Sequence, residues 1–152
     1  MADFLGFIDG VSQTAADWLY IYPRGIRELM LYIKKKYNNP PIYITENGVA
    51  DNGSSPIQEA LNDSLKIKYY HSHLSYLLEA IRARVDVKGY FVWSFLDDFE
   101  WGSGYTIRFG IIYVDYKNGL TRYMKRSAFW FKNFLRKENV IESKPLLYQR
   151  SY

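Results

Sequence analysis

The chain has 152 residues, the length of one domain, and its 48% apolar and 24% charged residues are a globular rather than a disordered composition. It has no cysteine, which excludes disulfides, thiolate metal sites and a cysteine nucleophile, and its two histidines are too few for a metal cage. The net charge of +4 is modest, and no basic stripe alternates with the aromatic residues. We therefore expect no metal, no cofactor and no nucleic-acid partner.

The only strongly apolar run near the start is residues 4–8, and Asp3 and Asp9 flank it. Such a run is too short for a membrane helix or for the core of a signal peptide. We expect no signal peptide, no transmembrane segment and no membrane partner in this chain. The sequence leaves the compartment and the oligomeric state open.

Residues 1–20 have no clear period, and we predict an irregular lead-in. Apolar residues then recur at helical spacing up to residue 37, with Pro23 at the start, which predicts a helix. Residues 42–45 are β-branched or aromatic and predict a strand that is buried on both faces. Residues 47–56 are rich in turn formers and predict a loop.

A second helix is predicted at about 63–84, with Asn62 or Asp63 as its cap. A second strand, also buried on both faces, is predicted at 90–96, and a polar loop follows at 97–104. Asn118-Gly119 lies between two short apolar runs and predicts a hairpin over 110–123. Ser127 is expected to cap a last helix that ends near residue 137, before a surface tail at 139–152. The apolar stripe of the second helix is predicted to be Leu74, Leu77, Leu78, Ile81 and Val85.

Helices that alternate with buried strands predict an α/β fold with a parallel sheet. The strands at 42–45 and 89–95 should lie side by side and parallel, joined by a right-handed helical crossover. Two parallel strands cannot cover their own edges and faces, so the pattern indicates part of a larger α/β domain. The isolated chain should then be loosely packed or prone to aggregate.

Acidic and aromatic residues follow both predicted strands at the same end of the sheet. Glu46 ends the first strand, and Glu100 and Trp101 follow the second, in which Trp93 lies. Carboxylates accept hydrogen bonds from sugar hydroxyls, and an indole covers the apolar face of a sugar ring. Catalytic groups favour this end of α/β sheets. On position alone, Glu46 fits a solvated loop carboxylate equally well, and Trp93 fits core packing.

The motifs at these strands resemble glycoside hydrolase family 1, the β-glucosidases. IYITENG at residues 42–48 looks like that family's nucleophile strand, and GYFVWSFLDDFEW at residues 89–101 is similar to its eighth strand and sugar-binding loop. The sequences of these motifs are most similar to those of plant enzymes that act on glucosides of specialised metabolites. The resemblance implies the C-terminal part of a (β/α)8 barrel, namely the last two βα units, a hairpin and the closing helix. Further matches lie at residues 18–23, 104–105, 108–110, 114–115 and 127–131.

The resemblance also implies residue roles. Glu46 matches the nucleophile that forms a covalent glycosyl-enzyme. Glu100 matches the acceptor for the glucose 4- and 6-hydroxyls, and Trp101 the indole donor to the 3-hydroxyl. Trp93 matches the platform beneath the ring, and Trp18 a wall of the aglycone site.

Three further features bear on specificity and activity. Glu100 would repel a 6-phosphate, which implies an unphosphorylated β-D-glucoside as the small-molecule substrate. Gly102 stands where relatives often have a bulky residue, which indicates a roomier aglycone entrance, and Asp98 stands where many have Asn. The family's Asn-Glu-Pro motif, which carries the acid/base, does not occur in the sequence.

Three interpretations follow from the missing acid/base. The first is a β-glucosidase-type hydrolase represented by one partial domain, with barrel units at 21–138. The second is a non-catalytic sugar- or aglycone-binding remnant, or a partner-binding module. The third is a small basic domain that binds nucleic acid or another partner. Under the first, the activity of the chain alone is in doubt.

Overall fold

The structure is a computed structural model that describes residues 12–136, so the predicted tail and residues 1–11 of the lead-in lie outside the described residues. Within that range no helix is long and apolar enough to cross a bilayer. A 3₁₀ turn at Trp101–Ser103 separates the fifth and sixth strands. The elements in chain order are β1 (Ser12–Gln13), β2 (Tyr20–Ile21), α1 (Pro23–Lys36), β3 (Ile42–Asn47), β4 (Asp51–Asn52), α2 (Ile57–Leu61), α3 (Ser64–Arg82), β5 (Val87–Val92), β6 (Ile107–Arg108), β7 (Ile112–Asp115), β8 (Thr121–Met124) and α4 (Arg126–Leu135).

The central unit is the parallel pair β3–β5, and the prediction that these strands lie side by side is confirmed. Helix α3 connects them along the chain, and α1 and α3 pack against each other. Apolar residues of the strands meet those of the helices in one cluster, which is the core on this side of the pair. The buried members of the cluster are Met30, Leu77, Ala80 and Val85, and the strands add Ile42, Ile44, Val87 and Tyr90.

The prediction that both strands are buried on both faces is wrong. Tyr43 is 60% exposed and Phe91 is 57% exposed, although each lies in the middle of its strand. The physical reason is that α1 and α3 cover one face of this two-stranded sheet, while the alternate side chains point to the opposite face. Within residues 12–136, no helix covers that second face.

The second strand begins and ends earlier than predicted. The Trp93 N–H still donates to the Asn47 carbonyl of β3, and from Ser94 onward the backbone pairs with the segment that precedes β7. The Ser94 N–H donates to the carbonyl of Phe109, and the Ser94 carbonyl accepts from the N–H of Ile111. The apolar sequence runs on without a break, so the change of partner has no signal in hydrophobicity.

One predicted helix cap is right in position and the other is wrong. Asp63 is the N-cap residue of α3, but its side chain makes no capping hydrogen bond there, because its carboxylate accepts from the N–H of Ser127 at 2.8 Å and from the Ser127 hydroxyl at 2.5 Å. Ser127 in turn lies inside α4, with Lys125 at the cap position. Asp63 therefore satisfies the N-terminus of a helix that is 64 residues further along the chain.

The predicted stripe of the second helix is right in part. Leu77 and Val85 are buried and Leu74 is partly buried against the same cluster, whereas Leu78 is 46% exposed and Ile81 is 42% exposed. The buried face carries polar and aromatic residues, which a purely apolar pattern misses. It consists of Lys66, Tyr69, Tyr70, His73, Leu77 and Ala80.

The predicted hairpin is confirmed as the antiparallel pair β7–β8. Its turn contains Gly119 at φ +59°, a left-handed conformation that glycine adopts without strain. Several short elements were not predicted: β1 pairs with β2 inside the supposed irregular lead-in, and β4 and α2 lie in or beside the supposed loop. Strands of two residues are too short to show a period.

Candidate active site

Glu46 lies at the carboxyl end of β3 and its side chain is exposed. Ile44 pairs with Tyr90 and Asn47 pairs with Val92, so β3 has one more residue than β5 in this interval. This irregularity interrupts the alternation of side chains. Ile44 faces the helices, and without the extra residue Glu46 would share its face.

Asn47 fixes the strand end next to Glu46. Its side-chain amide donates to the Tyr69 hydroxyl at 3.1 Å, and its side-chain oxygen accepts from the Tyr90 hydroxyl at 2.7 Å. Burial raises the pKa of Tyr69 to about 12 and also raises the pKa of Tyr90, so both phenols stay protonated near pH 7. The sequence predicts a loop at Asn47, whereas Asn47 is the last residue of β3, and no local pattern indicates this role.

Trp93 is held directly against the end of β3. Its N–H donates to the carbonyl of Asn47 at 2.8 Å. A Cβ atom on Gly48 would lie 1.8 Å from the Trp93 carbonyl oxygen, so only glycine permits this approach. These contacts set the backbone positions of Glu46 and Trp93 relative to each other.

Trp18 and Trp93 border one buried apolar cluster. Trp93 is partly buried and packs against that cluster. Trp18 stacks on Phe109, a member of the cluster, with ring centroids 6.5 Å apart. Trp18 is 65% exposed, which leaves its other side open to a ligand. The buried members of the cluster are Ala16, Ala50, Ile107 and Phe109.

Glu100 and Trp101 lie on the loop that follows β5. The Glu100 N–H donates to the carbonyl of Gly104 at 2.8 Å, which closes the loop around the 3₁₀ turn. Trp101 has a φ of +49° and is 82% exposed, so its indole is free to contact a ligand. Within residues 12–136, no hydrogen bond or ion pair joins Glu46 to Glu100.

Glu100 is a buried residue, 9% exposed, and its Oε1 atom has no hydrogen-bond partner in the described part of the chain. Burial and then the neighbouring carboxyl of Asp98 raise its pKa from 4.5 to about 7. Asp97 adds to the rise and Lys66 opposes it. An unpaired buried carboxyl oxygen is costly unless a ligand satisfies it.

A buried network of charges lies behind the loops. Lys66 and Lys125 are fully buried, and both pair with Asp51, at 2.9 and 3.4 Å. Asp97 pairs with Arg108 at 2.6 Å and with Lys125 at 3.3 Å. Lys66 also donates to the carbonyls of residues 49 and 109 at 3.0 Å. The network ties the loop after β3 to the loop after β5.

Sequence reasoning missed both lysines of this network, because a lysine on a helix or beside a turn normally faces solvent. Asp97 and Arg108 lie within the matched motifs, but nothing local marks them as an ion pair. Within residues 12–136, no cluster of three or more His, Cys, Asp or Glu side chains has the arrangement to hold a metal ion.

The sequence profile of glycosyl hydrolase family 1 matches residues 9–140, and the chain belongs to this family. It is 55% identical over 141 residues to β-glucosidase 12 of Oryza sativa subsp. indica, covering 90% of this chain and 28% of the relative. It is 54% identical over 127 residues to β-glucosidase 42 of Arabidopsis thaliana, covering 82% of this chain and 26% of the relative. The chain thus spans about a quarter of the length of these relatives.

Solved structures give the same result. The rice Os3BGlu6 β-glucosidase matches with a TM-score of 0.80 at 49% identity, over 82% of this chain and 27% of that one. A β-glucosidase from the fungus Humicola insolens, in complex with glucose, matches with a TM-score of 0.79 at 37% identity, over 84% of this chain and 28% of that one. Because family 1 β-glucosidases are (β/α)8 barrels, the described fold corresponds to part of such a barrel.

Proposed function

We propose that this chain is the C-terminal part of a retaining β-glucosidase and carries its nucleophile, Glu46. In this proposal β3 and β5 are the last two strands of the barrel, β7–β8 is the hairpin after them, and α4 is the closing helix. The chain is then a single partial domain. The observation that carries the proposal is the exposed Glu46 carboxylate at the carboxyl end of β3, fixed beside Trp93.

Retaining hydrolysis requires two carboxyl groups about 5 Å apart, one as nucleophile and one as acid/base. Glu46 attacks the anomeric carbon from the side opposite to the leaving group, so a covalent glucosyl ester forms as the glycosidic bond breaks and the aglycone oxygen takes a proton from the acid/base. Water, which gives its proton to the same group, then hydrolyses the ester and releases glucose. The acid/base lies outside this sequence, so the rest of the barrel supplies it. A mutant of the rice Os3BGlu6 enzyme has been solved in a covalent complex with glucose, which supports this chemistry for a relative.

The other site residues each contact a different part of the substrate. Trp93 is the platform beneath the glucose ring, while Glu100 and Trp101 bind its hydroxyls. Trp18 forms a wall of the aglycone site on the far side of Phe109. The substrate class is an unphosphorylated β-D-glucoside of a small aglycone, because the carboxyl of Glu100 repels a phosphate at the 6-position.

A chimera tests this function. The 141 residues of rice β-glucosidase 12 that match this chain are replaced by the corresponding residues of this chain. We expect the purified chimera to hydrolyse an aryl β-D-glucoside, and Glu46→Gln to reduce kcat by a factor of about 10⁴ or more. Glu59→Gln, in the short helix α2, is the matched control and should retain the activity.

Two results would contradict the proposal. One is a folded chimera without glucosidase activity. The other is activity that survives Glu46→Gln.

A further inference from the structure

We propose that Tyr69 and Tyr90 are positioning residues for the nucleophile: through the side chain of Asn47 they hold the end of β3 so that Glu46 points away from the helices and towards the substrate. The contacts themselves belong to this chain alone. Their consequence for catalysis rests on the proposed function, in which Glu46 is the nucleophile.

Asn47 links β3 to two other elements at the residue directly after Glu46. Its amide nitrogen donates to the Tyr69 hydroxyl of α3 at 3.1 Å, and its amide oxygen accepts from the Tyr90 hydroxyl of β5 at 2.7 Å. Its backbone carbonyl accepts from the Trp93 N–H at 2.8 Å. These hydrogen bonds fix both the side chain and the backbone of Asn47, and unlike apolar contacts they have a preferred direction.

The rings of the two tyrosines are themselves held by packing. Tyr69 is 5% exposed, and its ring lies against His73 with centroids 3.9 Å apart and meets Tyr70 edge to face at 5.6 Å. The ring of Tyr90 packs near Phe131 of α4, with centroids 6.5 Å apart. Because closely packed side chains keep their rotamers, the two hydroxyls are fixed points to which Asn47 is attached.

The direction of Glu46 depends on this attachment, because the chain does not hold its side chain in another way. Glu46 is exposed, and within residues 12–136 it forms no hydrogen bond and no ion pair. The extra residue of β3 between Ile44 and Asn47 turns Glu46 away from the face of Ile44. Asn47 fixes the strand directly after this irregularity, so its side chain sets where Glu46 points.

The attachment should affect the chemical step more than sugar binding. The carboxylate must approach the anomeric carbon in line with the leaving group, and a misplacement of about 1 Å can slow such a step by a factor of about 10². Glu100 and Trp101, which bind the sugar hydroxyls in the proposed function, lie on a different loop. Loss of the attachment should therefore slow the attack by Glu46 and leave sugar affinity nearly unchanged.

The test uses the chimera and a 2-deoxy-2-fluoro-β-D-glucoside, which leaves its sugar on the nucleophile. The maximal labelling rate reports the attack, and the reagent concentration at half of that rate reports binding. We expect Tyr90→Phe, which removes only the hydroxyl, to lower the maximal rate about tenfold and to keep the half-saturating concentration within about twofold. Tyr76→Phe, further along α3, is the matched control and should change neither.

A second set of variants separates positioning from simple stabilisation. Asn47→Leu leaves two tyrosine hydroxyls without their partner, so it should lower both thermal stability and labelling rate. When Tyr69→Phe and Tyr90→Phe are added, all three side chains are apolar and stability should return towards that of the unmodified chimera. The maximal labelling rate should stay about tenfold low or lower, because apolar packing restores the fold but not the direction of Glu46.

Three results would overturn the positioning role: an unchanged maximal rate in Tyr90→Phe, an equal fall in Tyr76→Phe, or a rate that recovers together with stability in the triple variant. In each of these cases a label on Glu46 of the unmodified chimera would still support the proposed function. An unmodified chimera that takes no label on Glu46 contradicts the proposed function itself, and the positioning role fails with it.

Discussion

Two groups of polar residues at the carboxyl ends of β3 and β5 have opposite surroundings. In the buried network, Lys66 and Lys125 are fully enclosed and every charge has a partner of opposite sign. At the rim, Glu46 is exposed and Trp101 is 82% exposed. The chain therefore contains the ion pairs that hold the two loops together. It contains only some of the residues that would surround a bound sugar in the proposed function.

This difference separates the buried ion pairs that hold the loops from the exposed residues that are proposed to contact the substrate. Changes in the network should disturb folding, whereas changes at the rim should disturb chemistry with little effect on folding.

The largest expected effect on stability comes from the buried network. Lys66→Met removes the ion pair with Asp51 and the hydrogen bonds to the carbonyls of Val49 and Phe109, of which the Phe109 carbonyl still accepts from the Ser94 N–H. We expect a loss of about 3–5 kcal/mol in the free energy of unfolding, measured by urea denaturation of the chimera. Lys117→Met, at the exposed turn of the hairpin, is the control and should change it by less than about 0.5 kcal/mol. An equal effect of both substitutions would show that the network has no special part in holding the loops.

A smaller loss is expected where β3 meets Trp93. Gly48→Ala places a methyl group against the Trp93 carbonyl, so the strand end must move, at a cost of about 1–3 kcal/mol. Gly102→Ala is the matched control, because a Cβ atom there meets no atom within 4 Å. Thermal unfolding of the chimera measures both. If Gly48→Ala is as well tolerated as Gly102→Ala, the two backbones are not held as closely as described.

The open face of β3–β5 should affect association more than stability. Phe91 lies on β5 and Phe95 follows its end; they are 57% and 67% exposed, and such apolar side chains on or beside an open strand favour aggregation. We expect the isolated chain to aggregate and the double change Phe91→Ser with Phe95→Ser to raise its monomer fraction in light scattering. Leu77→Ser, in the buried cluster, should instead unfold the chain. A wild-type chain that is monomeric and melts in one sharp transition would contradict this.

The sequence predicts the parts of the fold that depend on local pattern. The parallel strands, the helices around them and the hairpin at Asn118-Gly119 all follow from periodicity and turn residues. It also places Glu46 and Trp93 near the carboxyl end of the sheet, because motif and strand end coincide there.

What the sequence does not show depends on partners far along the chain. Asp63 and Ser127 are 64 residues apart, and nothing local tells that one satisfies the other. The extra residue of β3 between Ile44 and Asn47 exposes Glu46. This shift in register depends on how β3 pairs with β5, so the sequence of β3 alone does not reveal it. Lys66 and Lys125 become core residues only because two loops bring carboxylates to them.

The most direct test of the central claim is covalent labelling of the chimera with a 2-deoxy-2-fluoro-β-D-glucoside that has a good leaving group. The fluorine slows hydrolysis of the glycosyl-enzyme, so the sugar remains on the nucleophile and mass spectrometry of the digest locates it. We predict one label, on Glu46, and none in the Glu46→Gln variant. A label on any other residue, or a label that persists after Glu46→Gln, would contradict the assignment of Glu46 as the nucleophile.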